Sequence, residues 1–163
     1  MKNAVDLNTI TIKQILSPTE EELTRMTAWL YLWWGKAEGY SPLAVRTQLM
    51  HSFQKDALPR TYGMYAGDTL IGMYQFTLGD LFVRPDLYPW LANVYLLPEY
   101  RGMGLGKRMI LSAIRHAKEA GFLKLWLFTA HKGLYEPLGF TFLEEVDTIL
   151  LTPRTQRIYS ITL

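Results

Sequence analysis

Two apolar strands separated by a single amphipathic helix constrain this chain more than any other feature of its sequence. Trp90 to Leu97 reads as a buried strand, ended by Pro98, which offers no N–H to a ladder. Leu123 to Thr129 reads as another. Between them, Leu105 to Ala120 carries Met109, Ile110, Ala113, Ile114 and Ala117 at helical intervals, and Gly121 is placed to stop the helix. A strand, one helix and a second strand share a sheet as a right-handed parallel crossover, so at least one parallel pair is required here.

No other segment demands a parallel pair. Ile10 to Leu16 predicts a short strand. Ser17-Pro18-Thr19-Glu20 supplies a cap hydroxyl, a proline for the first helical position and an acid three residues on, so a helix is expected from there to about Trp33. Ser41-Pro42 opens a second helix to about Phe53, with Leu43, Val45, Leu49 and Phe53 recurring at helical spacing. Thr61 to Ala66 and Leu70 to Leu78 are rich in β-formers, and the Gly67-Asp68 between them predicts a tight hairpin. A short helix near Gly133 to Leu138 and strands over Phe140 to Glu145 and Arg157 to Leu163 complete the order β-α-α-β-β-β-α-β-α-β-β. That order is α+β with a mixed sheet. The 163 residues, 49% of them apolar, suffice for one core. With no repeat or linker-like run, residues 1–163 are expected to form a single domain.

Composition removes several function classes. Seventeen Lys and Arg against fifteen Asp and Glu leave a net charge of +2, without the dense basic stripe of a nucleic-acid binder. The basic residues of Arg101 to Lys118 are interleaved with apolar ones, as on an ordinary amphipathic helix. Cysteine is absent, which excludes disulfides, thiolate metal sites and a cysteine nucleophile. The three histidines form no i, i+4 pair and no carboxylate cluster, so no metal is expected. Met1 to Asn8 lacks the apolar stretch of a secretory signal, and no run approaches the about 18 apolar residues that span a bilayer. A cytoplasmic location without membrane attachment is the expectation.

The segment Pro98-Glu99-Tyr100-Arg101-Gly102-Met103-Gly104-Leu105-Gly106-Lys107 lies where the first apolar strand turns into the crossover helix. Glycines there let backbone approach a ligand, and the helix N-terminus offers unpaired N–H groups and the positive end of its dipole. A phosphate is the natural occupant, with Arg101 and Lys107 as flanking cations. Two common phosphate loops fail on spacing. A G-x-G-x-x-G fingerprint starting at Gly102 or Gly104 would need glycine at Lys107 or Met109, and a P-loop would need Gly-Lys-Ser/Thr where Lys107-Arg108 stands. The remaining alternative is a tight strand-to-helix turn with no ligand.

Arg101-Gly102-Met103-Gly104-Leu105-Gly106 resembles the R/Q-x-x-G-x-G/A signature of the GCN5-related N-acetyltransferases, the GNAT superfamily. Leu134-Tyr135-Glu136-Pro137-Leu138-Gly139-Phe140 resembles that family's closing Tyr-x-x-x-Gly-Phe segment. The close resemblance covers about Trp90 to Phe142, and the earlier elements agree in order only. It implies a GNAT-like mixed, mostly antiparallel sheet with helices on both faces and a central splayed parallel strand pair. It also implies acetyl-CoA as co-substrate and acetyl transfer to a primary amine of a small molecule or of a peptide or protein, by a monomer or homodimer. Backbone groups of Val94 and Leu96 would then bond pantetheine, with the Leu96 N–H as oxyanion donor, and the amides of Gly102, Met103, Gly104, Leu105, Gly106 and Lys107 would hold the pyrophosphate beside Arg101. His131 stands where many relatives place a cofactor-contacting asparagine. Tyr135 would be the general acid that protonates the departing thiolate, since a phenol is neutral at pH 7.

The general base is the weak point of the resemblance. Many relatives carry a carboxylate on the central strand, whereas Leu91-Ala92-Asn93-Val94-Tyr95 carries an amide at Asn93. Asp80, at the end of the hairpin strand, is the first choice ahead of Asp86, Glu99, His51 and His131. Trp29, Trp33, Trp34 and Tyr40 would border an acceptor groove, with Asp80, Asp86 or Glu38 meeting its ammonium, although core packing is the simpler fate for at least two of the tryptophans. Without a base on the strand, the competing reading is a non-catalytic acetyl-CoA-binding regulatory or interaction module.

Overall fold

The computed structural model describes residues 6–149 and 154–163. Its strands are β1 (Ile10–Ile15), β2 (Arg60–Ala66), β3 (Thr69–Thr77), β4 (Trp90–Leu96), β5 (Lys124–Thr129), β6 (Thr141–Asp147) and β7 (Thr155–Thr162). They form one sheet in the order β1-β2-β3-β4-β5-β7-β6. Only β4 and β5 run parallel, and the helix between them is the expected crossover. The helices are α1 (Glu20–Leu30), α2 (Pro42–Met50) and α3 (Leu105–Glu119).

Helices cover both faces because each presents one apolar stripe. On one face, Leu105, Met109, Ile110, Ala113 and Ala117 of α3 join a cluster with Tyr62, Tyr74, Phe76, Leu91 and Leu96. On the other, Leu23, Met26 and Leu30 of α1 and Val45 and Leu49 of α2 pack on Ile15, Tyr65 and Met73.

Two local expectations need correction. The cap of α1 is Thr19, not Ser17: its hydroxyl accepts from the Glu22 N–H at 3.1 Å, and the Glu22 carboxylate accepts from the Thr19 N–H at 2.8 Å. This reciprocal pair satisfies two otherwise orphaned donors; Ser17 with Glu20 has the same box spacing, so it is the path of the chain that selects Thr19. Thr19→Ala is expected to lower stability by about 1 kcal/mol, read as a shifted urea midpoint at unchanged slope. The second correction is the end of α1, which passes at Tyr31–Gly35 into a π-helical turn, with the Lys36 N–H donating to the Tyr31 carbonyl at 2.8 Å. No sequence rule marks a π turn, and such turns are often found at functional sites.

The central parallel pair separates almost at once. Trp90 and Trp126 are its only register partners, and the Trp126 N–H donates to the Pro89 carbonyl at 3.0 Å. Beyond them the facing edges of β4 and β5 diverge. On its other side β4 stays paired with β3, interrupted by a bulge between the Gln75–Ala92 and Met73–Tyr95 pairs. Asn93 sits in that bulge with φ of 51°, a left-handed conformation that asparagine tolerates better than most residues.

Candidate active site

The turn from β4 into α3 is built to leave donors free. Gly102 and Gly104 take φ of 79° and 76°, values open to glycine at little cost, and Gly104 is the N-cap of α3. Thr19 and Ser41 cap α1 and α2 through their side chains, but nothing caps α3. The first intrahelical bond runs from the Arg108 N–H to the Gly104 carbonyl at 3.1 Å, so the N–H groups up to Lys107 have no helical acceptor. Gly102, Gly104 and Gly106 are exposed, and a methyl group built on any of them would meet nothing within 4 Å beyond its chain neighbours and the helix's own backbone, so the turn is open to solvent. Leu105 is buried and anchors the first turn in the core, Met103 packs against the same cluster, and Lys107 is exposed.

Between this turn and the divergence of β4 and β5, one edge of β4 is unpaired. The Leu97 N–H donates to the Ile71 carbonyl of β3 at 2.9 Å. Backbone groups alternate in direction along a strand, so those of Leu96 turn away from β3 toward the gap. There the Leu96 carbonyl accepts from Arg101 Nε at 2.8 Å, and the guanidinium lies 5.7 Å over the Tyr95 ring. Arg101 thus braces the turn with one nitrogen while its side chain stays exposed. Opposite Leu96, Gly72 leaves no room for a side chain: a Cβ there would stand 2.7 Å from the Tyr95 carbonyl oxygen. Glycine at position 72 therefore lets β3 and β4 close up at the level of the gap.

The second motif folds onto the same cluster. Tyr135 precedes the short 3-10 turn Glu136–Leu138, closed by Gly139 at φ of 97°. Its ring packs edge-on to Phe140 at 5.8 Å and against Tyr159 at 6.4 Å, in the core that holds Leu96 and Leu105. The turn is braced from behind, since the Tyr159 hydroxyl donates to Glu136 at 2.7 Å and accepts from Arg157 Nε at 2.9 Å. Burial pushes the Tyr135 phenol above its ordinary value, so it keeps its proton at neutral pH. His131 lies just past β5 with an exposed ring, and its backbone N–H donates to the Thr129 hydroxyl at 3.1 Å.

The opposite face of the gap has a different character. Met73, Gln75 and Thr77 of β3 oppose Tyr95, Ala92 and Trp90 of β4. One border of this face is the end of α1 and the π turn: Trp29 stacks on Tyr95 at 5.1 Å, Trp33 approaches it at 6.0 Å, and Trp34 meets Tyr40 edge-on at 5.5 Å. Of the three tryptophans only Trp29 is buried. Trp34 is half-buried and packs against the same core cluster as Trp29, while Trp33 is 52% exposed, so core packing claims two of the three, as expected. The other border is the loop from 78 to 89, held down by buried Leu81 and Leu87 around Trp90. Arg84 ties that loop to β6 by pairing with both Asp86 and Glu144.

The base candidates separate on this geometry. Asp86 is occupied by Arg84, which holds its carboxyl below the usual range. Glu99 lies in an exposed 3-10 turn, and His51 is the exposed C-cap of α2. Asp80 is half-buried, and the crowding of protein around it pushes its carboxyl up to about 7. Asn93 has both ends of its amide engaged, with Trp34 and with Gln75. Three buried polar atoms lack a partner among the described residues: Glu38 Oε2, Thr77 Oγ1 and Trp90 Nε1. Thr77 and Trp90 oppose each other three residues before Asp80. The pairing of those two escaped the sequence reading, since their register depends on the bulge.

The acetyltransferase (GNAT) family model matches residues 21–140. The chain belongs to the GNAT acetyltransferase family. A curated relative from Escherichia coli (strain K12), the uncharacterized N-acetyltransferase YjgM, is 40% identical over 65 residues, and the match spans 37% of this chain and 37% of that one. An acetyltransferase from Streptococcus agalactiae 2603 shares the fold at a TM-score of 0.67 and 20% identity, covering 96% of this chain and 100% of that one. A GNAT family acetyltransferase from Elizabethkingia anophelis, solved with acetyl-CoA bound, matches at a TM-score of 0.63 and 16% identity, covering 96% of this chain and 99% of that one. In this GNAT chain the described residues contain no cluster of three metal-ligating side chains and no helix long and apolar enough to cross a membrane.

Proposed function

We propose that this chain is an acetyl-CoA-dependent N-acetyltransferase that acetylates a primary amine by direct attack, as a single cytoplasmic acyltransferase domain. The observation that carries the reading is the uncapped, glycine-lined N-terminus of α3 opening beside a β4 edge that has lost its β5 partner. Free N–H groups on an exposed turn suit a diphosphate, and an unpaired strand edge suits the amide-bearing pantetheine arm. The Elizabethkingia relative's bound acetyl-CoA supports the same co-substrate here.

Acetyl-CoA supplies a thioester whose carbonyl carbon takes the amine and whose sulfur leaves. In our reading the amides of Gly102 to Lys107 hold the diphosphate, with Arg101, Lys107 and His131 at its margins, while Val94 and Leu96 hold pantetheine. Asp80 takes a proton from the ammonium, directly or through water, freeing the lone pair that forms the new C–N bond. The Leu96 N–H donates to the carbonyl oxygen as it becomes negative. Tyr135 gives its phenolic proton to the departing sulfur. The exposed rings of Trp33, Tyr40, Phe82 and Tyr88 favour an amine carried on an apolar body, whether a small molecule or a peptide or protein amino group.

The test is free-thiol release from acetyl-CoA over a panel of amines, including hydrophobic amines and peptides. Release with an apolar amine supports the reading. Tight acetyl-CoA binding without release across the panel would support the alternative, a non-catalytic binding module, which the engaged amide of Asn93 favours.

Asp80 gives this assay a pH signature. A base raised to about 7 is ionised only above that value, so the rate is expected to rise with pH through about 7 and to level off. Asp80→Asn is expected to lower the rate at least tenfold and to flatten the rise. Stability should move the other way. The native state holds the Asp80 proton more tightly than the unfolded chain, so this group's contribution is fully present at low pH and is lost as pH rises through about 7. Asp80→Asn is therefore expected to be more stable than wild type above pH 7, a reversal readable from urea unfolding at two pH values.

A further inference from the structure

A one-way chain of side-chain hydrogen bonds crosses the sheet beneath the proposed amine site. Trp34 Nε1 donates to Asn93 Oδ1 at 3.0 Å, and Asn93 Nδ2 donates to Gln75 Oε1 at 2.7 Å. Gln75 Nε2 donates to Ser52 Oγ and to Thr61 Oγ1, both at 2.9 Å. Those hydroxyls pass their own protons to backbone, Ser52 to the Leu49 carbonyl at 2.7 Å and Thr61 to the Ser52 carbonyl at 2.8 Å. Ser52 Oγ and Thr61 Oγ1 also lie 2.9 Å apart, where either can donate, so both amide protons of Gln75 and both hydroxyl protons have acceptors inside a cluster whose members are at most 4% exposed. Turning over the Asn93 amide alone would set its Nδ2 against the Trp34 N–H and its Oδ1 against Gln75 Oε1, leaving groups unpaired at a cost of about 1–3 kcal/mol.

We propose that Asn93 is a positioning residue that fixes the acceptor wall relative to the thioester site, a role that rests on the acetyltransferase reading of this site. Its backbone forms the bulge, with φ of 51°, from which Val94 to Leu96 run along the gap. Its side chain holds Trp34, which lies in the π turn and packs against Tyr40. One residue therefore sets both the strand that would present the thioester and the aromatic wall that would face the amine. The same arrangement explains the missing carboxylate. An aspartate at position 93 could still accept from Trp34, but it would set a second acceptor oxygen against Gln75 Oε1 and could donate nothing to it.

The test uses Asn93→Gly, which keeps the left-handed bulge accessible and deletes the side chain, and Trp34→Phe, which keeps a ring and deletes the indole N–H. Each is expected to raise the amine KM about tenfold, the loss of one hydrogen bond's positioning, while acetyl-CoA affinity by calorimetry stays within about twofold. The double variant should be no worse than either single one. In wild-type protein the Trp34 indole N–H resonance is expected to move on adding acetyl-CoA, and in Asn93→Gly to stay. Additive KM effects, or a wild-type Trp34 resonance indifferent to acetyl-CoA, would overturn the proposal. If no amine is turned over but the resonance moves only when Asn93 is present, the transferase reading fails, while the coupling of Trp34 to the acetyl-CoA site through Asn93 stands.

Discussion

Tyr135→Phe is expected to reduce kcat by about 10²- to 10³-fold while leaving acetyl-CoA affinity and the melting temperature close to wild type. The ring is what packs: it contacts Phe140 and Tyr159 in the main core, and phenylalanine keeps that surface. What is lost is a proton held above the ordinary phenol range, and so retained at neutral pH for the leaving sulfur. Steady-state thiol release, with affinity measured separately by calorimetry, divides the two contributions. A Phe variant at wild-type rate would mean that water protonates the thiolate and that Tyr135 serves the core alone.

Gly104→Asp is expected to weaken acetyl-CoA binding about a hundredfold with little loss of fold. Aspartate is among the residues that tolerate the left-handed region, at about 1 kcal/mol, and beyond the chain neighbours no atom lies within 4 Å of the added Cβ. Its carboxylate would stand among the free N–H groups at the start of α3, where a diphosphate would otherwise lie. A like charge about 5 Å away costs about 3 kcal/mol at an effective dielectric near 20. Gly104→Asn separates charge from shape, since it has nearly the same volume and no charge, and it should bind within about threefold of wild type. Equal losses in both variants would point to backbone geometry. No loss in either would remove the diphosphate from this turn.

The fold is legible in the sequence where a local rule and the global arrangement agree. The parallel pair, the hairpin at Gly67-Asp68 and the termination of α3 near Gly121 follow from periodicity and glycine placement, and the structure contains all three. α1 starts two residues later than its sequence suggests, because Ser17 and Thr19 both offer a hydroxyl before a run of acids. Only the path of the chain decides which one meets Glu22. The π turn was not legible, because Tyr31 to Gly35 has no composition that separates it from α-helix and its position depends on packing against Tyr95 and Asn93.

For the site, the phosphate turn and Tyr135 could be named from sequence because their residues are contiguous and their glycines have a local reason to be there. Asn93 could be recognised only as a departure. Its two partners, Trp34 and Gln75, lie 59 and 18 residues away, and no local pattern encodes a bond of that span. The place of Asp80 just after a strand is visible in the sequence, but its raised carboxyl pKa is a property of the protein packed around it. The chain alone thus determined which backbone donors stay free, because glycine and helix termini act within a few residues. The tertiary structure alone decided which side chains meet across the sheet, because burial and hydrogen bonding between distant residues exist only once the strands are in register.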